Sequence, residues 1–136
     1  MPGVEYRVRP GAYAVILARS KRVAVVKHFG LYYLPGGGVE GDETLLECLY
    51  REVREETGWS IEAIRELGWA DEVISASDRG LYLIKRGLFV EARLAPGSDP
   101  DAVGQHHKLW VNLEELRAGA AHESHIWAVE TATAVQ

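Results

Sequence analysis

Apolar and polar positions change period along this chain, and the changes mark its elements. Residues 12–18 (AYAVILA) form a short apolar run rich in strand formers. Residues 23–26 (VAVV) are an unbroken apolar run, mostly β-branched, as in a strand buried on both faces. The polar residues 19–22 between them read as a turn, so the pair predicts a hairpin. Residues 31–34 read as a further short strand stopped by Pro35, and the run Gly36, Gly37, Gly38 argues against regular structure. Residues 1–11 carry two prolines and alternate charged with apolar groups, which reads as an entry arm.

Across 42–58 the period becomes helical. Leu45, Leu46, Leu49 and Val53 fall on one side of a wheel. Asp42 is a plausible N-cap, with Glu43 in or near the first turn, and Gly58 is a natural stop. Beyond it, 60–76 contains a long strand-like stretch that leaves helix open as an alternative, 77–80 reads as a turn and 81–94 mostly as strand. Pro96, Gly97, Pro100 and Gly104 mark a loop over 95–104. A last strand over 109–113, a helical turn over 114–117 and a helix over 124–135 complete the chain. The pattern predicts α plus β. With 136 residues, no repeat and no linker, one domain over 1–136 is expected.

Composition narrows the function classes. A hydrophobic share of 47% and a charged share of 26% suit a folded globule. The net charge of −5 argues against a stable nucleic-acid partner, because holding phosphates needs a basic face. It leaves room for a nucleotide substrate neutralised by a divalent cation. One cysteine, Cys48, excludes an internal disulfide and a cysteine-rich zinc site. It reads as a small buried side chain. The first eleven residues lack the apolar core of a signal peptide, and no apolar run nears the ~20 residues of a membrane helix. A cytoplasmic protein with no membrane partner is expected.

The acid surplus is localised. Residues 37–59 (GGVEGDETLLECLYREVREETGW) hold seven acids and two bases, and the rest of the chain is balanced. Glu52, Glu55 and Glu56 stand at i, i+3 and i+4, on one helix face. Carboxylates ~5 Å apart repel by roughly 3 kcal/mol per pair at an effective dielectric of 20. An oxygen-only cluster of one sign suits a hard cation such as Mg²⁺ or Mn²⁺. Arg51 can brace a carboxylate, and the glycines let backbone approach a ligand closely.

The same segment resembles the Nudix box, G-x5-E-x7-R-E-U-x-E-E-x-G-U. Gly37, Glu43, Arg51, Glu52, Val53, Glu55, Glu56, Gly58 and Trp59 fill its specified positions. The resemblance implies an α/β/α sandwich with a mixed β-sheet between helices. It implies hydrolysis of a phosphoanhydride in a nucleoside diphosphate derivative, a small-molecule substrate. Glu52, Glu55 and Glu56 would ligate metal, with Gly37 offering its carbonyl. Glu52 could also orient or deprotonate water, and Glu43 with Arg51 would hold the loop against the helix. The metal would be Mg²⁺, with Mn²⁺ as substitute. A homodimer is compatible with the family.

Many relatives carry a further acid before the tryptophan of the late strand. Here the stretch is Gln105, His106, His107 and Lys108, so Asp99, Asp101, Glu52, His106 or His107 are candidate bases. His122 and His125, at i, i+3, have metal-compatible spacing, although surface or capping roles fit better. Glu91 is expected to face solvent. Lys27, Arg79 and Arg86 are candidate phosphate contacts. Tyr33, Trp69 and Tyr82 are candidate base-stacking residues. Markers of NADH-, coenzyme A-, ADP-ribose- and dinucleoside-polyphosphate-type members are absent. That favours a MutT-like (d)NTP pyrophosphohydrolase of housecleaning type. The alternatives are an ADP-ribose, dinucleoside polyphosphate or nucleotide-sugar hydrolase, or a non-catalytic nucleotide-sensing module. RNA 5′-end processing is disfavoured by the acidic balance.

Overall fold

The computed structural model describes residues 5–76 and 80–134. In chain order the elements are β1 (Glu5–Ile16), β2 (Val23–His28), β3 (Leu31–Tyr33), β4 (Gly36–Gly38) and α1 (Leu45–Thr57). They continue with β5 (Ile61–Ala76), β6 (Leu81–Leu94), β7 (His107–Val111), α2 (Leu113–Gly119) and α3 (Glu123–Ala134). A four-stranded sheet runs β4-β1-β6-β5 and a three-stranded sheet β3-β2-β7. The first is mixed: β1 and β6 are parallel, while β1–β4 and β5–β6 are antiparallel.

Alternation along β1 divides the core. Ala12, Ala14 and Ile16 pack with Leu49 and Val53 of α1 and with Trp59. Tyr13 and Val15 turn to the opposite face, where Phe89 meets Leu116 of α2 and Val129 and Ala132 of α3. The result is an α/β/α sandwich, as the motif implied.

Several expectations change. The entry arm is strand from Glu5 onward, because Glu5–Ile16 registers residue by residue against Leu81–Leu94. Pro10 is tolerated there because its missing N–H would point away from β6. The predicted hairpin does not form. β1 is flanked by β6 and β4, so β2 pairs instead with β3 and β7. One isolated bridge, Leu17 to Val23, links the two runs.

The glycine run is a strand rather than irregular backbone. A β-carbon on Gly36 would overlap the Ala12 carbonyl, and one on Gly11 would lie 2.5 Å from the Gly37 oxygen. Bare backbone is what lets β4 close on β1.

α1 begins later than expected. Thr44, not Asp42, is the N-cap, in a reciprocal capping box with Glu47. Gly58 ends the helix in the left-handed conformation, φ 81°. Leu46 is exposed, unlike its wheel-mates. The last strand starts at His107, and Asn112 caps α2, so Leu113 is helical. The predicted 77–80 turn lies, but for Gly80, outside the described residues.

Candidate active site

Capping α1 at Thr44 leaves Glu43 in the segment before the helix, within reach of Arg51 two turns on. Arg51 Nε and Nη2 donate to Glu43 Oε2 and Oε1 at 2.6 and 2.9 Å. Nη2 also donates to the Gly38 carbonyl at 3.1 Å, and Nη1 to Glu52 Oε1 at 2.9 Å and Glu55 Oε2 at 3.2 Å. One guanidinium therefore ties together the segment before the helix, the glycine strand and two carboxylates. Its hydrogen bonds, helped by the Glu40 amide, hold the Glu43 carboxyl down to about 2.

Glu52 reaches the backbone of β4. A β-carbon on Gly37 would fall 2.5 Å from Glu52 Cδ. Glu56, one turn on, accepts the Gly36 N–H at 2.8 Å. Burial pushes its carboxyl up to about 7, against that hydrogen bond, and the nearby charges of Glu52 and Glu55 add to the rise. Burial also raises Glu52, opposed by Arg51. Cys48 is buried beside them and donates Sγ–H to the Gly37 carbonyl at 3.4 Å. Burial raises its thiol to about 11, so it is no nucleophile at neutral pH.

A cleft of about 290 Å³ opens along the glycine strand beside Glu56. Tyr33, His28 and Leu34 line it from the three-stranded sheet side, Tyr13 and Lys85 from the four-stranded sheet. The Lys85 ammonium stands 5.7 Å from the Tyr13 ring centroid. No carboxylate lies within ion-pair distance of it among the described residues. Burial lowers its pKa, countered by the fields of Glu56 and Glu72.

The end of α1 is sealed by the loop before β7. Gln105 and His106 donate their N–H groups to the Glu55 and Glu56 carbonyls at 2.8 and 3.1 Å. A β-carbon on Gly104 would overlap the Glu56 backbone, so the loop closes only with glycine there. The same loop sets His106 Nε2 3.9 Å from Glu56 Oε2, at the cleft wall.

The donor set fits a divalent cation of the hard type. It is all oxygen, the charges of Glu52 and Glu55 raise the pKa of Glu56, and Gly37 leaves a cradle that a β-carbon would fill. The described residues do not form a ready-made cage of three ligating side chains. Arg51 holds Glu52 and Glu55, while Glu56 is turned to Gly36.

The profile of the NUDIX domain matches residues 7–130. The chain belongs to that family. A Caenorhabditis elegans protein named with the nudix hydrolases is 47% identical over 92 residues, 65% of this chain and 22% of its own length. An RNA pyrophosphohydrolase of Actinobacillus pleuropneumoniae is 30% identical over 110 residues, covering 79% of this chain and 48% of that protein. The chain thus spans less than half the length of these relatives. Among solved structures, a NUDIX hydrolase from Nitrosomonas europaea superposes with a TM-score of 0.77 at 19% identity. It covers 95% of this chain and 90% of that one. A MutT NUDIX hydrolase from Burkholderia pseudomallei gives 0.67 at 24%, covering 92% and 98%. These two show the shared fold.

Within the NUDIX domain, the structure sorts the remaining candidates. Tyr33 and His106 line the cleft; Lys27 and Arg86 do not. Arg86 is locked to Asp71 by two hydrogen bonds of 2.9 Å across β5–β6. Its neighbour Lys85 points to the opposite face and takes the cleft position. Strand alternation is the signal that could have found it. Arg79 lies outside the described residues. Tyr82 stacks on Tyr6 at 5.4 Å, and Trp69 is exposed away from the cleft. Asp99, Asp101 and His107 also stand outside it.

Glu91 is not solvent-facing: it is largely buried and bonds Arg65 at 2.7 Å. His125 is buried rather than superficial. Its Nδ1 accepts the Leu34 N–H at 3.0 Å, and its ring sits among Tyr13, Tyr33 and Phe89. Among the described residues, no helix is long and apolar enough to cross a membrane.

Proposed function

We propose that the chain is a divalent-metal-dependent hydrolase of a phosphoanhydride in a small nucleoside diphosphate derivative, with a (d)NTP as the first substrate to test. The observation that carries this reading is the Arg51 fork on Glu43, Glu52 and Gly38. It aligns one helix face of carboxylates with a glycine-lined cleft that also holds Lys85, which has no carboxylate within ion-pair distance among the described residues.

Glu52, Glu55 and Glu56, with the Gly37 carbonyl, would hold the cation, Mg²⁺ or Mn²⁺. When bound, such a cation neutralises phosphate charge and makes water more acidic. The chain supplies the rest. Arg51 and Glu43 fix the helix against β4, so the reacting groups stay aligned. Lys85 offers a positive charge from the wall opposite α1, suited to a non-bridging phosphate oxygen. Tyr33 offers a ring to a base. Glu52 would accept a proton from water, and His106 is the loop residue that stands beside Glu56.

The test is a panel of (d)NTPs, ADP-ribose, nucleotide sugars, dinucleoside polyphosphates and a 5′-triphosphorylated RNA, each with Mg²⁺ or Mn²⁺ and products identified by mass. The RNA is included because two relatives carry the name RNA pyrophosphohydrolase. Monophosphate and pyrophosphate from a (d)NTP support the reading. Tight nucleotide binding with no turnover of any member would replace it with a sensing module.

A further inference from the structure

The cleft has a side chamber of about 170 Å³. The two share Tyr13, Gly38 and Lys85, and the chamber adds Arg9, Leu83 and Ile74. Gly11 and Gly38 face each other across β1–β4, so bare backbone lines the junction. The chamber is smaller than the ~300 Å³ at which pockets for whole small molecules begin. It suits one group of a ligand whose body lies in the cleft.

Strand register sets its charge. Arg9 is opposite Lys85 in the parallel pairing of β1 and β6, and Tyr13 is opposite Phe89. Tyr13 and Phe89 share one core face. Arg9 and Lys85, each four residues earlier, therefore stand on that face too, on strands ~5 Å apart. Like charges placed so destabilise a sheet. Neighbouring cations are neutralised: Arg7 Nε lies 3.8 Å from Glu5, and Arg86 forks onto Asp71. Arg9 and Lys85 have no carboxylate within ion-pair distance among the described residues. The acid opposite Lys85 on β5 is Glu72, and its Oε1 accepts the Ser124 N–H at 2.9 Å at the start of α3.

The hydrogen-bonding character is one-sided as well. Arg9, Lys85 and Arg86 bring only donors, and Pro10, Ile74 and Leu83 bring no polar side-chain atom. Among the lining side chains the Tyr13 hydroxyl alone can accept. We propose that Arg9 and Lys85 form a subsite for the terminal phosphoryl group of a triphosphate. Resting on the hydrolase reading above, this subsite selects substrates that end in a free phosphate over those whose diphosphate is capped by a sugar.

A terminal phosphoryl group carries about −1.5 to −2 charge at pH 7 and three acceptor oxygens. That matches two cations that only donate. A phosphodiester brings a single charge, and the hydroxyls of a capping sugar would lose their acceptors against Ile74 and Leu83. A free nucleoside triphosphate and the 5′ end of a triphosphorylated RNA present the same group.

Calorimetric titration in Mg²⁺ tests this, with a dATP analogue bridged by methylene at both anhydride positions and with ADP-ribose. In Arg9→Gln the analogue should bind about tenfold or more weakly, the scale of one charge-assisted hydrogen bond. ADP-ribose should change by less than about threefold in the same variant. Arg7→Gln makes the same change in net charge outside the chamber, and should leave both affinities within about threefold. The same bridged triphosphate on a short RNA is the second arm. Tighter binding than the free analogue makes RNA the source of the group, and weaker binding makes it the free nucleotide. Three outcomes overturn the subsite: a wild-type chain that binds neither triphosphate up to about 1 mM, an equal loss for ADP-ribose, or an equal loss in Arg7→Gln. Turnover of dATP is scored separately. Arg9-dependent binding without turnover would keep the subsite and sink the hydrolase reading. Turnover indifferent to Arg9→Gln would do the reverse.

Discussion

The Glu52 carboxylate lies against the bare α-carbon of Gly37. A β-carbon there would sit 2.5 Å from Cδ and 2.6 Å from Oε2. The two residues are joined further by Arg51, which holds Glu52 Oε1 and the carbonyl of Gly38, one residue on.

Gly37→Ala should therefore displace Glu52 rather than unfold the chain, since the clash is with a side chain. The expected outcome is a fall in kcat of about 10²-fold, the scale of a ~1 Å misplacement. Thermal unfolding should show only a modest loss, on the order of 1 kcal/mol. A variant that keeps full turnover would separate Gly37 from the chemistry.

Arg51→Lys keeps the charge and loses the fork. It cannot hold both oxygens of Glu43 and also reach Glu52, Glu55 and Gly38. Turnover should fall about tenfold or more, with binding of a non-hydrolysable nucleotide less affected. Steady-state kinetics beside calorimetric titration would tell the two apart.

Lys85→Met removes a cation that has no carboxylate within ion-pair distance among the described residues. Stability should change little or rise, because burial already disfavours the charge. KM for a polyphosphate substrate should rise about tenfold, and its dependence on salt should weaken. Arg86→Met is the control, and is expected to leave KM unchanged.

The pH dependence has two opposing parts. Glu56, raised to about 7 by burial, disfavours the folded metal-free protein increasingly as pH rises from 4.5 to 7. His125, lowered to about 3 by burial, acts in the other direction. Its contribution is whole above pH 6.5 and is lost as pH falls toward 3. Between 4.5 and 6.5 the two largely cancel. In Glu56→Gln, stability should instead climb with pH over that range, approaching 1.4 kcal/mol per unit. Denaturant midpoints at several pH values would show it.

Cation binding at Glu56 competes with its proton. Mn²⁺ affinity should hold above pH 7 and fall below it, by about tenfold per pH unit for one displaced proton. Glu52→Gln and Glu56→Gln should each weaken Mn²⁺ binding and abolish most turnover. Paramagnetic titration of Mn²⁺ against pH checks both.

How much of this was legible in the sequence depends on distance along the chain. The helix and its carboxylate face follow from local spacing, and the motif holds Glu43 and Arg51 eight residues apart. The sheet did not follow. β1 pairs in parallel with β6, 76 residues on, and no local pattern announces that. It is also why the expected hairpin failed and why Glu5 is strand. The glycine run reads as a breaker by propensity, yet close approach to β1 makes it a strand. Lys85 and Arg86 are neighbours with apolar residues on both sides, so composition cannot say which faces the cleft. His125 reads as a polar residue on a terminal helix until the packing of Tyr13 and Phe89 is known.

The bond from Leu34 to His125 has a consequence in time. It spans 91 positions, from the link between β3 and the glycine strand to the last helix. While the chain is being synthesised, the motif helix and the glycine strand emerge well before α3. Until α3 docks, the Leu34 N–H lacks its acceptor and Tyr13 lacks one ring of its packing. The cleft is thus among the last features of the molecule to be completed, and a growing chain would acquire its acidic helix long before it acquired a finished site.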